Sequence, residues 1–286
     1  MSETGENDAR TLADLRTRID AIDAEMHRLL SERGTVIDAL IRTKGTSRPG
    51  AAFRPGREAD MMRRLVARHQ GALPLATVEH IWREIITTFT RMQAPFDVAI
   101  DVSVEPERMR DVARFYFGFS VGLVGLPDAA SVVARVAEAG DLGLIAREQK
   151  PGAAAWWRAL TRPSSPQIMA LLPHIGSAGR PADLPAFVIS PRLADPTPPD
   201  IRILAITARG AFKPPAGSEV LSSTSDDGRS EVLLAIPASS DAARIAAEAF
   251  GRIESIVEVG GSARGIAVDG APSLLYQTPD KARTTA

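Results

Sequence analysis

Residues 12–44 read LADLRTRIDAIDAEMHRLLSERGTVIDALIRTK, and this run decides the fold of the amino-terminal part. It holds no proline, and Leu12, Leu15, Ile19, Ile22, Met26, Leu29, Val36 and Leu40 follow the three- and four-residue steps of one helical face. At 1.5 Å per residue such a helix extends roughly 50 Å, more than a domain of about ninety residues covers alone. A second chain is therefore expected to cover the rest. The glycines and prolines between Gly45 and Gly56 make a loop, and residues 57–69 restart a helix with Met61, Met62, Leu65 and Val66 inward. After Gly71 and Pro74 comes a third helix, capped by Thr77 and stopped by Pro95, with an apolar face of Val78, Ile81, Trp82, Ile85, Ile86, Phe89 and Met92. Residues 1–95 are thus expected to be an all-helical domain of three unequal helices.

Beyond Pro95 short apolar runs at 98–102 and 143–145 alternate with a helical stretch at 129–138, the texture of an α/β domain. The proline-rich residues 191–199 read as a linker or long turn. Past it the pattern gives strands at 201–207 and 231–236, a helix at 241–250, strands near 253–259 and 265–268, and a frayed tail from Gln277. The expected division is 1–95, 96–190 and 191–286, a multi-domain α plus α/β chain.

Composition narrows the function. With 34 basic and 35 acidic side chains in 286 residues the charge balance calls for neither a nucleic-acid nor a membrane partner, so any anion site is local. No apolar run is long enough to cross a bilayer and residues 1–10 lack a signal-like core, so a cytoplasmic protein is expected. The absence of cysteine removes thiolate sites, and four scattered histidines have no ligand spacing, so no metal is expected.

Several charges fall on the apolar faces. Arg33 follows Leu29 by four and precedes Val36 by three, where a leucine would be expected, and a buried cation needs a partner. Lys44 lies about 20° around the helix from Arg33 and roughly 16 Å along it, so the two basic side chains can converge on a small dianion. Gln93 shares the face of Ile86 and Phe89. Arg57 and Glu58 open the second helix beside the glycine-rich loop, where free backbone amides favour an anion. Taken singly, Arg33 can pair with a core glutamate, Lys44 can be a solvated helix end, and Gln93 a capping or interface residue. No nucleophile with an obvious base accompanies them, which points to chemistry driven by positioning and electrostatics.

The runs LADLR (12–16), IDAID (19–23) and LLSER (29–33), with Lys44, Arg57-Glu58 and WREII (82–86) through Gln93, resemble the all-helical chorismate mutases. That resemblance implies an intertwined homodimer in which Arg16 comes from the neighbouring chain. It implies that Arg16, Arg33 and Arg57 bind the two carboxylates of chorismate, that Glu58 accepts a hydrogen bond from the ring hydroxyl, and that Lys44 and Gln93 face the ether oxygen. Negative charge builds on that oxygen as the bond breaks, so donors there favour the transition state over the substrate. The reaction, a unimolecular Claisen rearrangement to prephenate in aromatic amino acid biosynthesis by the shikimate pathway, needs no cofactor. Two departures bear on substrate contacts: the family's best-known members carry an aspartate near Arg54 and often a serine where Phe89 stands.

Residues 96–190 resemble an eroded prephenate dehydratase domain, which implies a periplasmic-binding-protein-like α/β region. ARFYFG (113–118) matches the end of the family's first helix and DLGLI (141–145) its strand before an Ile-Glu-Asn-Ser signature, which here reads REQK (147–150). The family's Thr-Arg-Phe element, whose threonine carries catalysis, reads Pro185-Ala186-Phe187. Without that hydroxyl no dehydratase activity is expected. The strand, helix, strand, strand order of 231–268 is similar to the family's regulatory domain but lacks its glycine-alanine-leucine and Glu-Ser-Arg-Pro motifs. The plainer reading makes the second half a packing and oligomerisation module, GGSARG (260–265) a turn, and Trp156 and Trp157 core or interface anchors. The alternatives to a mutase are an isochorismate pyruvate lyase, which holds a similar dianion, and a non-catalytic dimerisation or regulatory module of the same pathway.

Overall fold

The computed structural model describes residues 3–44, 53–193, 197–210, 213–249 and 252–279. The chain divides into two compact units, Met1–Ser47 and Arg48–Ala286. This division by compactness cuts differently from the division by likeness, because the second and third helices belong to the larger unit.

The first unit is one helix, α1 (Glu3–Lys44), longer than the periodic run alone indicates. Its charged face is laced by Arg28, which bonds Glu25 at 2.6 Å and Glu32 at 2.9 Å, exposed pairs worth little individually. Its apolar face is unsatisfied: Leu12, Leu15, Ile19, Ile22, Met26, Leu29 and Val36 stand 49–63% exposed. Seven such side chains along one helix face make an apolar patch of the kind that marks an interaction surface.

The second unit begins with α2 (Pro55–Arg68) and α3 (Leu75–Gln93). Pro55 opens α2 at a position whose missing N–H costs nothing. Thr77 is not the cap of α3: the helix starts two residues earlier, after Pro74, and the Thr77 N–H donates to the Pro74 carbonyl. The buried face of α3 also differs from the expected one. Ile86 is buried, but its companions are Glu79, Arg83, Thr87 and Thr90, while Ile81 and Met92 are 45% and 54% exposed. Two polar faces are possible on a helix with charges on both sides, and ion partners elsewhere in the unit decide which turns inward.

The rest alternates as β1 (Val98–Asp101), α4 (Pro106–Phe117), β2 (Leu123–Leu126), α5 (Ala129–Ala139), β3 (Leu142–Ala146), a 3-10 turn (Trp156–Thr161), β4 (Gln167–Leu172), β5 (Ile175–Gly176) and β6 (Ala186–Ser190). Then follow β7 (Ile201–Arg209), β8 (Glu219–Asp226), β9 (Arg229–Pro237), α6 (Ala242–Ala249), β10 (Arg252–Ser262), β11 (Gly265–Ala267) and β12 (Tyr276–Gln277). Phe250, expected to end the last helix, lies outside the described residues. Asp128 caps α5 by accepting from the Ser131 N–H at 2.7 Å, and Gly140 closes it in the left-handed conformation.

Nine strands form one mixed sheet, ordered β2-β1-β3-β6-β4-β10-β7-β9-β8. It runs without a break through strands from both sides of the proline-rich residues 191–199, of which 194–196 lie outside the described residues. A smaller parallel sheet is ordered β12-β11-β5, so Gln277 belongs to a strand and not to a frayed tail. Helices α2 and α3 bury Met62, Leu65 and Ile86 against Ile175 and Ile266 of that small sheet. Trp156 and Trp157 sit in the main core with Phe187, as anchors. The run 260–265 is not all turn, because β10 continues through Ser262. Gly260 is needed there: its φ is +146° and a Cβ would lie 2.0 Å from the Ile168 carbonyl oxygen, where β10 meets β4. Among the described residues no helix is long and apolar enough to cross a membrane.

Candidate active site

The six candidate residues divide between the units. Arg16 is exposed and Arg33 half-buried on α1; Lys44 ends that helix and its side chain lies outside the described residues. Arg57 and Glu58 occupy the first turn of α2, where an acid complements the helix dipole. The Arg57 side chain is exposed, whereas Glu58 turns inward. Gln93 is the last residue of α3, half-buried, and its amide donates to the Phe89 carbonyl of its own helix at 3.0 Å. The two departures are placed as well: Arg54 precedes α2 and donates to the Phe53 carbonyl at 2.9 Å, and Phe89 is half-buried on α3.

Around Glu58 the structure assembles groups that the sequence reading passed over. Its carboxylate, 19% exposed, accepts from Arg83 Nη1 at 3.2 Å. Arg83 Nε lies 3.8 Å from Glu79 Oε1, and Glu79 Oε2 accepts from Arg180 Nη2 at 3.0 Å. Arg180 in turn donates to the carbonyls of Ile175 and Pro181. Both guanidinium groups lie against Tyr116, at 5.1 Å for Arg83 and 5.7 Å for Arg180 from the ring centre. The Tyr116 hydroxyl accepts from the His174 N–H at 3.2 Å. Glu58, Arg83, Tyr116, His174 and Ser262 line a small, partly open cavity of about 40 Å³, room for a few water molecules.

Burial sets the titration of this cluster. It raises the Glu58 carboxyl above the ordinary carboxylate range, with Arg83 opposing, and raises Glu79 against the pull of Arg180 and Arg83. The Tyr116 phenol is likewise pushed up by burial. His174 goes the other way, down to about 3, through burial and then the charges of Arg83 and Arg63, although a hydrogen bond with the Ala59 backbone opposes the shift. The folded state thus holds His174 neutral where the unfolded chain, at 6.5, takes a proton. Stability tied to this group is complete above pH 6.5 and is lost as pH falls toward 3. The melting temperature of a His174→Asn variant, which keeps a donor for Ala59, is therefore expected to fall less steeply than wild type between pH 6.5 and 4. Parallel melting curves followed by circular dichroism across that window would show that His174 carries none of the acid lability.

A signal for the cluster exists in the sequence. Glu79, Arg83, Thr87 and Thr90 recur at helical spacing and form a stripe of their own on α3. Read alone, such a stripe passes for a solvated face; Arg180, which draws it inward, is about a hundred residues away in the chain.

Comparison with known proteins accounts for the helical part. Residues 15–94 match the family model for chorismate mutase type II. The bifunctional chorismate mutase/prephenate dehydratase of Neisseria gonorrhoeae is 38% identical over 84 residues, 29% of this chain and 22% of that protein. The proteins of the same description from Stutzerimonas stutzeri and Pseudomonas aeruginosa are 30% identical over 119 and 127 residues, covering 40% and 43% of this chain and 32% and 34% of theirs. The chain thus spans 22–34% of the length of these curated relatives in the matched regions. The longest of the three matches covers more of this chain than lies before residue 95, so it reaches into the α/β region. No solved structure matches. The chain carries an amino-terminal chorismate mutase type II domain, followed by a mixed α/β region, and its likeness to the bifunctional mutase/dehydratases is distant and partial.

Proposed function

We propose that this protein is a homodimeric, cytoplasmic chorismate mutase that converts chorismate to prephenate without cofactor or metal, and that it has no prephenate dehydratase activity. The observation that carries the reading is the family match over 15–94, which contains all six candidate residues. Arg16, Arg33 and Arg57 clamp the two carboxylates of the folded substrate, and Glu58 accepts from its ring hydroxyl. Lys44 and Gln93 supply donors to the ether oxygen, where charge grows only as the bond breaks. The exposed apolar stripe of α1 supports a dimer, because a second copy of the same stripe is the simplest surface that covers it.

By likeness the chain divides into a mutase part (1–95), an eroded dehydratase part (96–190) and an extension (191–286). Where the dehydratase family carries its threonine, this chain has Pro185 and then Ala186 and Phe187, both fully buried in β6, with no hydroxyl to offer. Purified full-length protein is expected to consume chorismate and to yield prephenate, identified by its conversion to phenylpyruvate in acid. At neutral pH the prephenate is expected to persist. Salicylate and pyruvate formed from added isochorismate, with chorismate untouched, would establish the lyase instead, turnover of neither compound would leave the non-catalytic module, and phenylpyruvate formed by the protein at neutral pH would refute the dehydratase part of the reading.

A further inference from the structure

The structure assigns Arg83 and Arg180 the work of positioning Glu58, so that the α/β region holds a carboxylate of the mutase site in place. Glu58, Arg83, Glu79 and Arg180 alternate in charge: hydrogen-bonded ion pairs of 3.2 Å and 3.0 Å at the two ends flank a 3.8 Å charge contact between Arg83 and Glu79. None of the inner members is free to relocate. The side chains of Arg83, Glu79 and Arg180 are 7%, 1% and 3% exposed. Arg180 is fixed in the loop between β5 and β6 by two backbone carbonyls and lies 5.1 Å from the Phe115 ring on α4. The far end of the series is therefore built entirely from the α/β region, beyond the residues that match the mutase family.

Stability alone is a poor reason for such an arrangement. Buried ion pairs lose most of their Coulomb attraction to desolvation, and apolar replacements of equal volume are often as stable. What a buried series does supply is a single geometry for its last member. Glu58, which has a solvent-facing fraction the others lack, is that member. The inference rests on the reading that Glu58 accepts the substrate hydroxyl, and it adds that Arg83 acts through Glu58 and Arg180 through Arg83.

The test uses the full chain with Arg83→Lys and Arg180→Lys, each followed by kcat and KM separately and by the pH profile of turnover. A lysine keeps the charge but its ammonium cannot span both Glu58 and Glu79, nor both Glu79 and the two carbonyls. A drop in kcat on the order of tenfold is expected for Arg83→Lys, the scale of a misplaced contact, with a smaller drop for Arg180→Lys and little change in KM. The groups around the cavity at Glu58 are Arg83 from α3, Tyr116 from α4 and His174 before β5, with Glu79 and Arg180 behind Arg83 and Arg63 acting on His174. Weakening the Arg83 contact leaves burial less opposed, so the acid limb of the profile moves to higher pH. If wild type turns over chorismate and both lysine variants keep its kcat and its acid limb, the positioning role is wrong while the mutase reading stands. If wild type does not turn over, both fall. A lysine variant that does not fold, judged by circular dichroism, also overturns the proposal, because the series then serves the fold and not Glu58.

Discussion

Arg33→Ala is expected to lower kcat/KM for chorismate by at least about 100-fold, the usual scale for removing one preorganised charge from a site that works by electrostatics. Arg33 sits on the stripe of α1 that otherwise reads Leu29 and Val36, and it is half-buried there. On the proposed reading its guanidinium grips a carboxylate of the substrate with two parallel hydrogen bonds. Arg33→Lys is expected to recover little of the loss, since an ammonium cannot reproduce the fork. Initial rates from the disappearance of chorismate absorbance, with circular dichroism to show an intact helix content, decide the matter. Activity within about tenfold of wild type would remove Arg33 from the site.

The long first helix was legible because nothing local contradicts it: its apolar steps and its lack of proline agree, although the helix begins before the periodic run does. The strands at 98–101 and 142–146 were legible for the opposite reason, as continuous apolar runs between helices. The small sheet was not, because β5 and β12 are two residues each and their identity lies in their partners. The inward face of α3 escaped for a related reason. Ile81 and Met92 look like core in a one-dimensional pattern, and only the arrival of Arg180 from the loop after β5 makes Glu79 and Arg83 cheaper to bury. Spacing and position marked Arg33, Lys44, Gln93, Arg57 and Glu58 as unusual without saying what they hold; Arg16, and the role of each of the six, came from the resemblance. What physical pattern could reveal was that charges stood on the wrong face. What it could not reveal was that a second set, Glu79 and Arg83, also turned inward on what passed for the right one.

Mixing two inactive variants is expected to restore turnover. If each site takes Arg16 from one chain and Glu58 from the other, an Arg16→Ala homodimer and a Glu58→Gln homodimer both have two damaged sites. In a heterodimer both lesions fall in one site and the other is intact. Random exchange puts half of the dimers in the mixed form, so about a quarter of all sites regain full function. The rise, from near zero in each parent to about a quarter of wild type after co-refolding or co-expression, is read directly from initial rates. Arg16 is exposed on α1 beside the unsatisfied stripe of Leu12, Leu15 and Ile19, which is where a crossing chain would meet it. Recovery in the mixture requires that the site be shared, since variants with self-contained sites would stay inactive in any ratio. An Ile19→Asp, Ile22→Asp pair gives the control: two carboxylates on the apolar stripe are costly to bury against a second copy and should leave a monomer with no recovery in either mixture. If the parents are inactive, the protein is dimeric, exchange is complete and the mixture is still inactive, Arg16 and Glu58 belong to the same site within one chain, and the intertwined dimer is wrong.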